Sequence, residues 1–313
     1  VSAIVTTDLT KTYKEVGKAA VKSLDRLTLT IEQNEVYGFL GRNGAGKTTT
    51  IKILCGLIKP SSGSATVFGE NVRTPQARRL LGYLPEQPYF YEYLTPRETI
   101  DFYGKLQKLS SAERDKQWDK LSELLDLRDI AEQRIKGFSK GMRQRIGFAV
   151  ALVGDPPLLI LDEPMSGLDP IGRRMIRDLI MRCRDEKKTI FFSSHVMGDV
   201  EQICDRVSIL VKGRLTHRGR IDELLAQNIK AVEVIAADLS DAVRAELAGL
   251  AESHRRLDEQ DIFTFKDQPT ANEAVRQIHA QSGRLVEFSP VRESLEDFFL
   301  NQQGAAPLEE RAV

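Results

Sequence analysis

Two stretches of this 313-residue chain carry residues that could hold a phosphate. The first is GRNGAGKT at 41–48, which matches G-x-x-x-x-G-K-[ST], the P-loop. Gly41, Gly44 and Gly46 let the backbone curl, so that the N–H groups of a loop that also holds Asn43 and Ala45 point at phosphate oxygens. Lys47 supplies a point charge for the β- and γ-phosphates. Thr48 offers a hydroxyl to Mg²⁺, and Thr49 can reach the α-phosphate region. The pattern names a nucleoside triphosphate and does not say which NTPase uses it. The second stretch, FSKGMRQRIGFAVAL at 138–152, lies about 90 residues further on. Its Ser139 and Gly141 sit in a turn entering a basic and then apolar helix, which suits an anion held at a helix N-terminus.

LLILDE (158–163) supplies two acids. Asp162 closes an apolar run and can hold Mg²⁺ through water, while Glu163 beside it could orient or deprotonate an attacking water. Alone, such a pair reads equally well as a solvated strand end. With a P-loop in the same chain it reads as chemistry. His195 follows the strand-like KTIFFSS, whereas His217, His254 and His279 have no such frame and are expected at the surface.

These residues need elements to place them. EVYGFL (35–40) leads into the P-loop, and TTTIKILCGL leaves it with Ile51, Leu54 and Ile58 at helical spacing. LLILD, KTIFFSS and RVSILV read as further buried strands. Helical stretches alternate with them, which predicts an α/β sheet domain over 1–221. No convincing strand occurs in 96–152. RETIDFYGKLQKL and RDKQWDKLSELLDL are helical, the second with Trp118, Leu121, Leu124 and Leu125 on one face. We expect an all-helical subdomain at about 88–152, inserted into the sheet domain. After residue 222 the glycine motifs stop. VEVIA, IFTF and RLVEF read as three strands, each followed by a helical stretch (LSDAVRAELAGL, TANEAVRQIHA, ESLEDFFL). This predicts a small α+β domain over 222–303, with 304–313 a disordered tail.

Lys plus Arg and Asp plus Glu both number 45, so there is no basic surplus to support nucleic-acid binding. The three cysteines show no metal or disulfide spacing, and a reducing cytosol is the plain reading. No apolar run approaches the roughly 20 residues of a membrane span, and the N-terminus has no secretory pattern. Any membrane role is expected to come through a partner.

FSKGMRQR, some twenty residues before LLILDEP, resembles the signature motif of ABC-type ATPases, LSGGQ followed by a basic residue, Gln and Arg. Four other features fall in that family's order. Tyr13 in KTYK is placed like the aromatic that stacks on adenine, and Gln87 in LPEQ like the Q-loop glutamine. SGLD (166–169), ending in Asp169, resembles the D-loop, and His195 the switch histidine. The resemblance spans about residues 4–220. Phe138, Lys140 and Met142 depart from the commoner signature, but Ser139 and Gly141 remain. Gly167 stands where Ala is frequent, a change expected to be silent.

The resemblance implies a P-loop NTPase core of the ABC type that binds ATP and Mg²⁺. Two such subunits pair head to tail, so that Ser139 and the Gly141 N–H of one cap the γ-phosphate held by Lys47 of the other. It implies Glu163 as the carboxylate acting on water, His195 as a γ-phosphate contact, Asp169 at the shared site, and Gln87 beside the metal held by Thr48 and Asp162. It also implies an exporter-type subunit, peripheral at the cytoplasmic face of the membrane, bound to a separate transmembrane permease and paired with itself or a related ATPase. The alternative is a non-transport ABC ATPase acting on the ribosome or DNA. It is disfavoured by the single cassette, by the short gap between the two phosphate motifs without sustained heptads, and by the charge balance. A P-loop kinase or synthetase would leave Ser139, Gly141 and the D-loop unexplained.

Five of the seven tyrosines lie between Tyr83 and Tyr103, among them Tyr89, Tyr91 and Tyr93, with Phe90 and Phe102 nearby. Core packing is one reading. The other is that Tyr89, Phe90, Tyr91 and Tyr93 seat the permease, because this region of the resembled family touches the membrane subunit. SLEDFF resembles a C-terminal motif of exporter-type subunits, and the C-terminal domain is expected to serve dimer contact or regulation.

Overall fold

The computed structural model describes residues 2–14, 17, 19–226, 229–292 and 295. The chain divides into two units, Val1–Ile221 and Asp222–Gly304. The first opens with two long strands not identified in the sequence analysis, β1 (Ser2–Tyr13) and β2 (Val21–Glu32). They pair antiparallel with repeated register shifts, which break the two-residue alternation of β1, whereas Leu27, Leu29 and Ile31 of β2 keep it. In β3 (Val36–Leu40) every residue is buried, and α1 (Lys47–Leu54) follows the glycine loop. Then come β4 (Ser62–Val67), β5 (Glu70–Asn71), α2 (Pro75–Arg79) and β6 (Leu81–Leu84).

Between β6 and the next strand the chain is helical. α3 (Pro96–Leu106) and α4 (Ser111–Leu124) each begin with a reciprocal capping box, Thr95 with Glu98 and Ser110 with Glu113. α5 (Lys140–Leu152) is capped by Ser139, whose hydroxyl accepts from the Met142 N–H. The unit is completed by β7 (Leu158–Leu161), α6 (Pro170–Asp185), β8 (Thr189–Ser194), α7 (Met197–Ile203), β9 (Arg206–Val211) and β10 (Arg214–Arg220), and α8 (Ile221–Ala226) leads out of it.

Two sheets form. One is β2-β1-β4-β5, and the other runs β10-β9-β3-β8-β7-β6. In the second, β9, β3, β8, β7 and β6 are parallel, and only β10 is antiparallel. A core cluster that includes Leu27, Leu29 and Ile31 of β2, Ile51 and Leu54 of α1, and Tyr37, Phe39 and Phe191 of the parallel sheet ties the two together. The order β3-β8-β7 places three carboxyl ends side by side: the end that enters the glycine loop, the end before His195, and the end at Asp162. Ligands of open parallel sheets bind at such ends.

The C-terminal unit contains β11 (Ile229–Ala237), α9 (Asp241–Leu250), β12 (Ser253–Leu257), β13 (Gln260–Phe265), α10 (Gln268–Ala280) and β14 (Arg284–Arg292). Its sheet is antiparallel in the order β12-β13-β11-β14. This is a β-α-β-β-α-β, ferredoxin-like arrangement. Val232, Val234, Phe263 and Phe265 pack on Val243, Leu247, Ala271 and Ile278 of the helices. β12, SHRRL, was not expected from sequence: it is an edge strand, exposed at every residue and without an apolar stripe. ESLEDFFL lies outside the described residues apart from Leu295, and so does the 304–313 tail. One histidine corrects the surface expectation: His217 is buried in β10. His254 stacks on Phe263, ring centroids 4.5 Å apart, and bonds Asp261 through Nε2 at 2.9 Å. His279 is exposed.

Two predictions follow from this packing. A Cβ on Gly82 in β6 would run into the Ala151 carbonyl of α5. Gly82→Ala should therefore destabilise the N-terminal unit by about 3 kcal/mol, read from urea unfolding. In the C-terminal unit, burial raises the pKa of Asp261, but hydrogen bonds from His254 and Arg244 outweigh it and hold the carboxyl below its ordinary range. Its stabilising effect is therefore present above about pH 4, the unfolded value, and fades as pH falls through the lower folded one. Acidifying through that window should lower the melting temperature more in the parent protein than in Asp261→Asn.

Candidate functional site

The glycine loop is built from backbone that side chains would obstruct. Gly44 and Gly46 have φ of 81° and 114°. A Cβ on Gly46 would lie 2.6 Å from the Ser23 carbonyl oxygen. Gly46 heads α1 and no side chain caps that helix, so the leading N–H groups are left for an anion. Ala45 is buried and holds the loop: its N–H donates to the Arg42 carbonyl at 3.0 Å, and its carbonyl accepts from the Gly213 N–H at 2.8 Å. Asn43 is exposed on the turn. Lys47 is 5% exposed, and its Nζ donates to the Gly41 carbonyl at 2.5 Å.

The same Nζ lies 3.1 Å from Glu163 Oε1, in ion-pair contact but without a hydrogen bond's geometry. The other carboxylate oxygen, Oε2, is 2.8 Å from His195 Nδ1. Glu163 itself takes a left-handed φ of 50°, an uncommon backbone state for a non-glycine residue. Its N–H donates to Ser193 Oγ at 3.0 Å, and that hydroxyl donates to Asp162 Oδ1 at 2.7 Å. Thr48 Oγ1 donates to the same Asp162 oxygen at 3.4 Å. The fold thus brings Lys47, Thr48, Asp162, Glu163 and His195 into one connected network. Burial pushes the Asp162 carboxyl above its ordinary range, against the hydrogen bonds from Ser193 and Thr48. A bound cation would favour its ionised form.

Other expected residues stand around this centre. Thr49 shares a hydrogen bond with Ser23, Oγ1 to Oγ 2.9 Å. Tyr13 is 44% exposed at the end of β1, with Lys11 Nζ 5.1 Å from its ring centroid. Asp169 caps α6 by accepting from the Gly172 N–H at 2.7 Å. Gln87 is exposed on the segment after β6 and makes no hydrogen bond to Thr48 or Asp162. Ser139 and Gly141 head α5, with Ser139 exposed, and no hydrogen bond or ion pair joins them to the Lys47 network.

Sequence reading missed Ser193 and Gln144. Ser193 ends a buried apolar run one residue before Ser194-His195, and its polarity there was the available signal. Gln144 is 2% exposed, a polar residue among the buried Ile146, Phe148 and Ala149 of α5. Two expectations are corrected. Phe90 is 7% exposed and packs inside, whereas Tyr89, Tyr91 and Tyr93 are 85%, 48% and 65% exposed. Gly167 is not a silent position: its φ is 65°, and a Cβ there would strike Lys140 Nζ.

The residues fit ATP and Mg²⁺. The uncapped helix start and the left-handed glycines form an anion cradle. A hydroxyl and a carboxylate meet at its mouth, which is the hard-oxygen donor set that Mg²⁺ takes beside phosphates. Ser193 holds both acids in register. Ser193→Ala leaves the Glu163 N–H and Asp162 Oδ1 each one partner short, a penalty of about 1–3 kcal/mol. ATP turnover should fall roughly tenfold or more with little change in nucleotide affinity, measured by steady-state hydrolysis and equilibrium titration.

Comparison with known proteins places the chain among relatives. The family model for ABC transporters matches residues 24–166. An ABC transporter ATP-binding protein of Synechocystis sp. (strain ATCC 27184 / PCC 6803 / Kazusa) is 39% identical over 284 residues, covering 90% of this chain and 78% of its own length. The bacitracin transport ATP-binding protein BcrA of Bacillus licheniformis is 36% identical over 322 residues, 97% of this chain and 98% of BcrA. A solved ATP binding subunit of an ABC transporter superimposes with a TM-score of 0.64 at 31% identity, covering 71% of this chain and 91% of that one. With the P-loop, the paired acids and His195 assembled as one centre, this chain belongs to the ABC transporter family as one of its ATP-binding ATPase subunits.

Proposed function

We propose that this subunit powers a membrane exporter by closing on a second ATPase subunit around ATP and hydrolysing it. One observation carries the reading. The chain has a complete phosphate cradle, and also a second anion-binding helix start, at Ser139 and Gly141, that is exposed and unconnected to it. A pair of subunits arranged head to tail would set each Ser139–Gly141 turn against the γ-phosphate in the other's cradle, an isologous contact. BcrA, by its name a transport ATP-binding protein, supports a role in transport, and the transported substrate would be chosen by a separate permease.

Lys47 and the loop N–H groups would grip the β- and γ-phosphates, and Thr48 and Asp162 would hold Mg²⁺, with Gln87 brought to it. Bound Mg²⁺ would neutralise charge on the transferred phosphoryl group. The incoming phosphate competes with Glu163 for Lys47, which frees Oε1 to accept a proton from water. His195 holds Oε2 and so orients the carboxylate toward that water. The reaction is ATP plus water to ADP and phosphate, and loss of the γ-phosphate removes the contact that held the subunits together. Tyr13 offers its exposed ring to adenine. Among the described residues no helix is long and apolar enough to cross a membrane, so the proposed attachment is peripheral, at the cytoplasmic face.

Glu163→Gln should keep ATP affinity, lose about two orders of magnitude or more in turnover, and accumulate as an ATP-dependent dimer in size-exclusion chromatography. Turnover near that of the parent would remove Glu163 from its role, and a monomer under saturating ATP would refute the pairing. Tyr89, Tyr91 and Tyr93 form an exposed aromatic surface, with Tyr91 edge-on to Phe102 at 5.7 Å. We assign it to the permease. Tyr89→Ala with Tyr93→Ala should abolish co-purification with the permease and export from membrane vesicles, while ATP binding is unchanged.

A further inference from the structure

Gln144 is buried on α5, one turn from the signature residues, and its amide is only half satisfied. Nε2 donates to the Pro164 carbonyl at 2.8 Å, while the buried Oε1 has no partner. Flipping the amide would set Oε1 against another carbonyl oxygen, so the hydrogen-bond pattern fixes its orientation. A buried acceptor left unpaired costs free energy, and a residue that retains one calls for an explanation.

The geometry around it supplies one. Pro164 immediately follows Glu163, whose φ of 50° must be held by its surroundings. On one side the Ser193 hydroxyl fixes the Glu163 N–H. On the other, Gln144 fixes the carbonyl of the next residue. One more contact joins the same helix to the same loop. The Lys140 ammonium lies over Gly167, where a Cβ would strike it. α5 therefore touches the 164–168 segment at two places, and its own N-terminus is the second anion device.

We infer that Gln144 is a positioning residue that couples the anion-binding start of α5 to the carboxylate of Glu163 in the same chain. In the paired arrangement proposed above, on which this inference rests, those two features serve different ATP molecules. A γ-phosphate seated on Ser139 and Gly141 of one subunit steadies α5, and Gln144 carries that to the Glu163 backbone facing the other nucleotide. The two sites then hydrolyse as a coupled pair. Lys140 is a lesser, surface member of the same connection.

The test uses the full chain. Gln144→Met preserves volume and removes the donor. ATP turnover of the Gln144→Met protein should fall about tenfold at unchanged KM, with the Hill coefficient for ATP dropping from near two toward one. Lys140→Ala, which leaves the core intact, should lower the Hill coefficient. A folded Gln144→Met protein with the parent's turnover and Hill coefficient overturns the inference. Should that variant fail to fold, an unchanged Hill coefficient in Lys140→Ala overturns it. Adding Gln144→Met to Glu163→Gln separates this from the pairing itself. The double variant should still dimerise with ATP, and failure of Glu163→Gln alone to dimerise would count against the pairing.

Discussion

The network around Glu163 is the constraint on which the rest of the molecule depends. One carboxylate is held between the Lys47 ammonium and the His195 ring, with its backbone tied to Ser193 and the next carbonyl tied to Gln144. The partners come from the start of α1, the end of β8 and α5. An acid and an amine this well buried are tolerated only as a pair, because either charge alone would bear the full cost of desolvation. Phosphate is the natural competitor for the amine. The Lys47–Glu163 ion pair and the proposed phosphate contact draw on the same ammonium, so in the proposed mechanism nucleotide binding would release the acid.

The parallel sheet makes this network possible. β3, β8 and β7 are adjacent, and their carboxyl ends deliver the glycine loop, Ser193 with His195, and Asp162 with Glu163 to one edge. The helical segment between β6 and β7 does a different job. It carries the second anion device on α5 and packs that helix against β6, where Gly82 permits the close approach to Ala151.

Physical reasons separate what could be read in advance from what could not. The P-loop, the acid pair and the strand before His195 were legible because close backbone approach demands glycines, and doubly buried strands demand apolar runs. β1 was not, because its bulges scramble the alternation that signals a strand, whereas the Leu27, Leu29, Ile31 alternation of β2 was an available signal. Phe90 and its tyrosine neighbours have the same aromatic composition, yet only Phe90 faces inward, since composition has no direction. Gly167 looked interchangeable with alanine until its left-handed φ and the overlying Lys140 were visible.

By itself, the order of residues determined the class of ligand, the α/β core and the identity of the phosphate-binding groups, because each of these follows from local chemistry within a few residues. Which charges meet was decided only by the tertiary structure. Lys47 and Glu163 lie more than a hundred positions apart, and Gln144 gains its meaning only from the Pro164 carbonyl that folding lays against it. Short-range spacing can encode a loop or a helix cap, but a pairing across strands depends on the sheet order, which no single stretch of sequence contains.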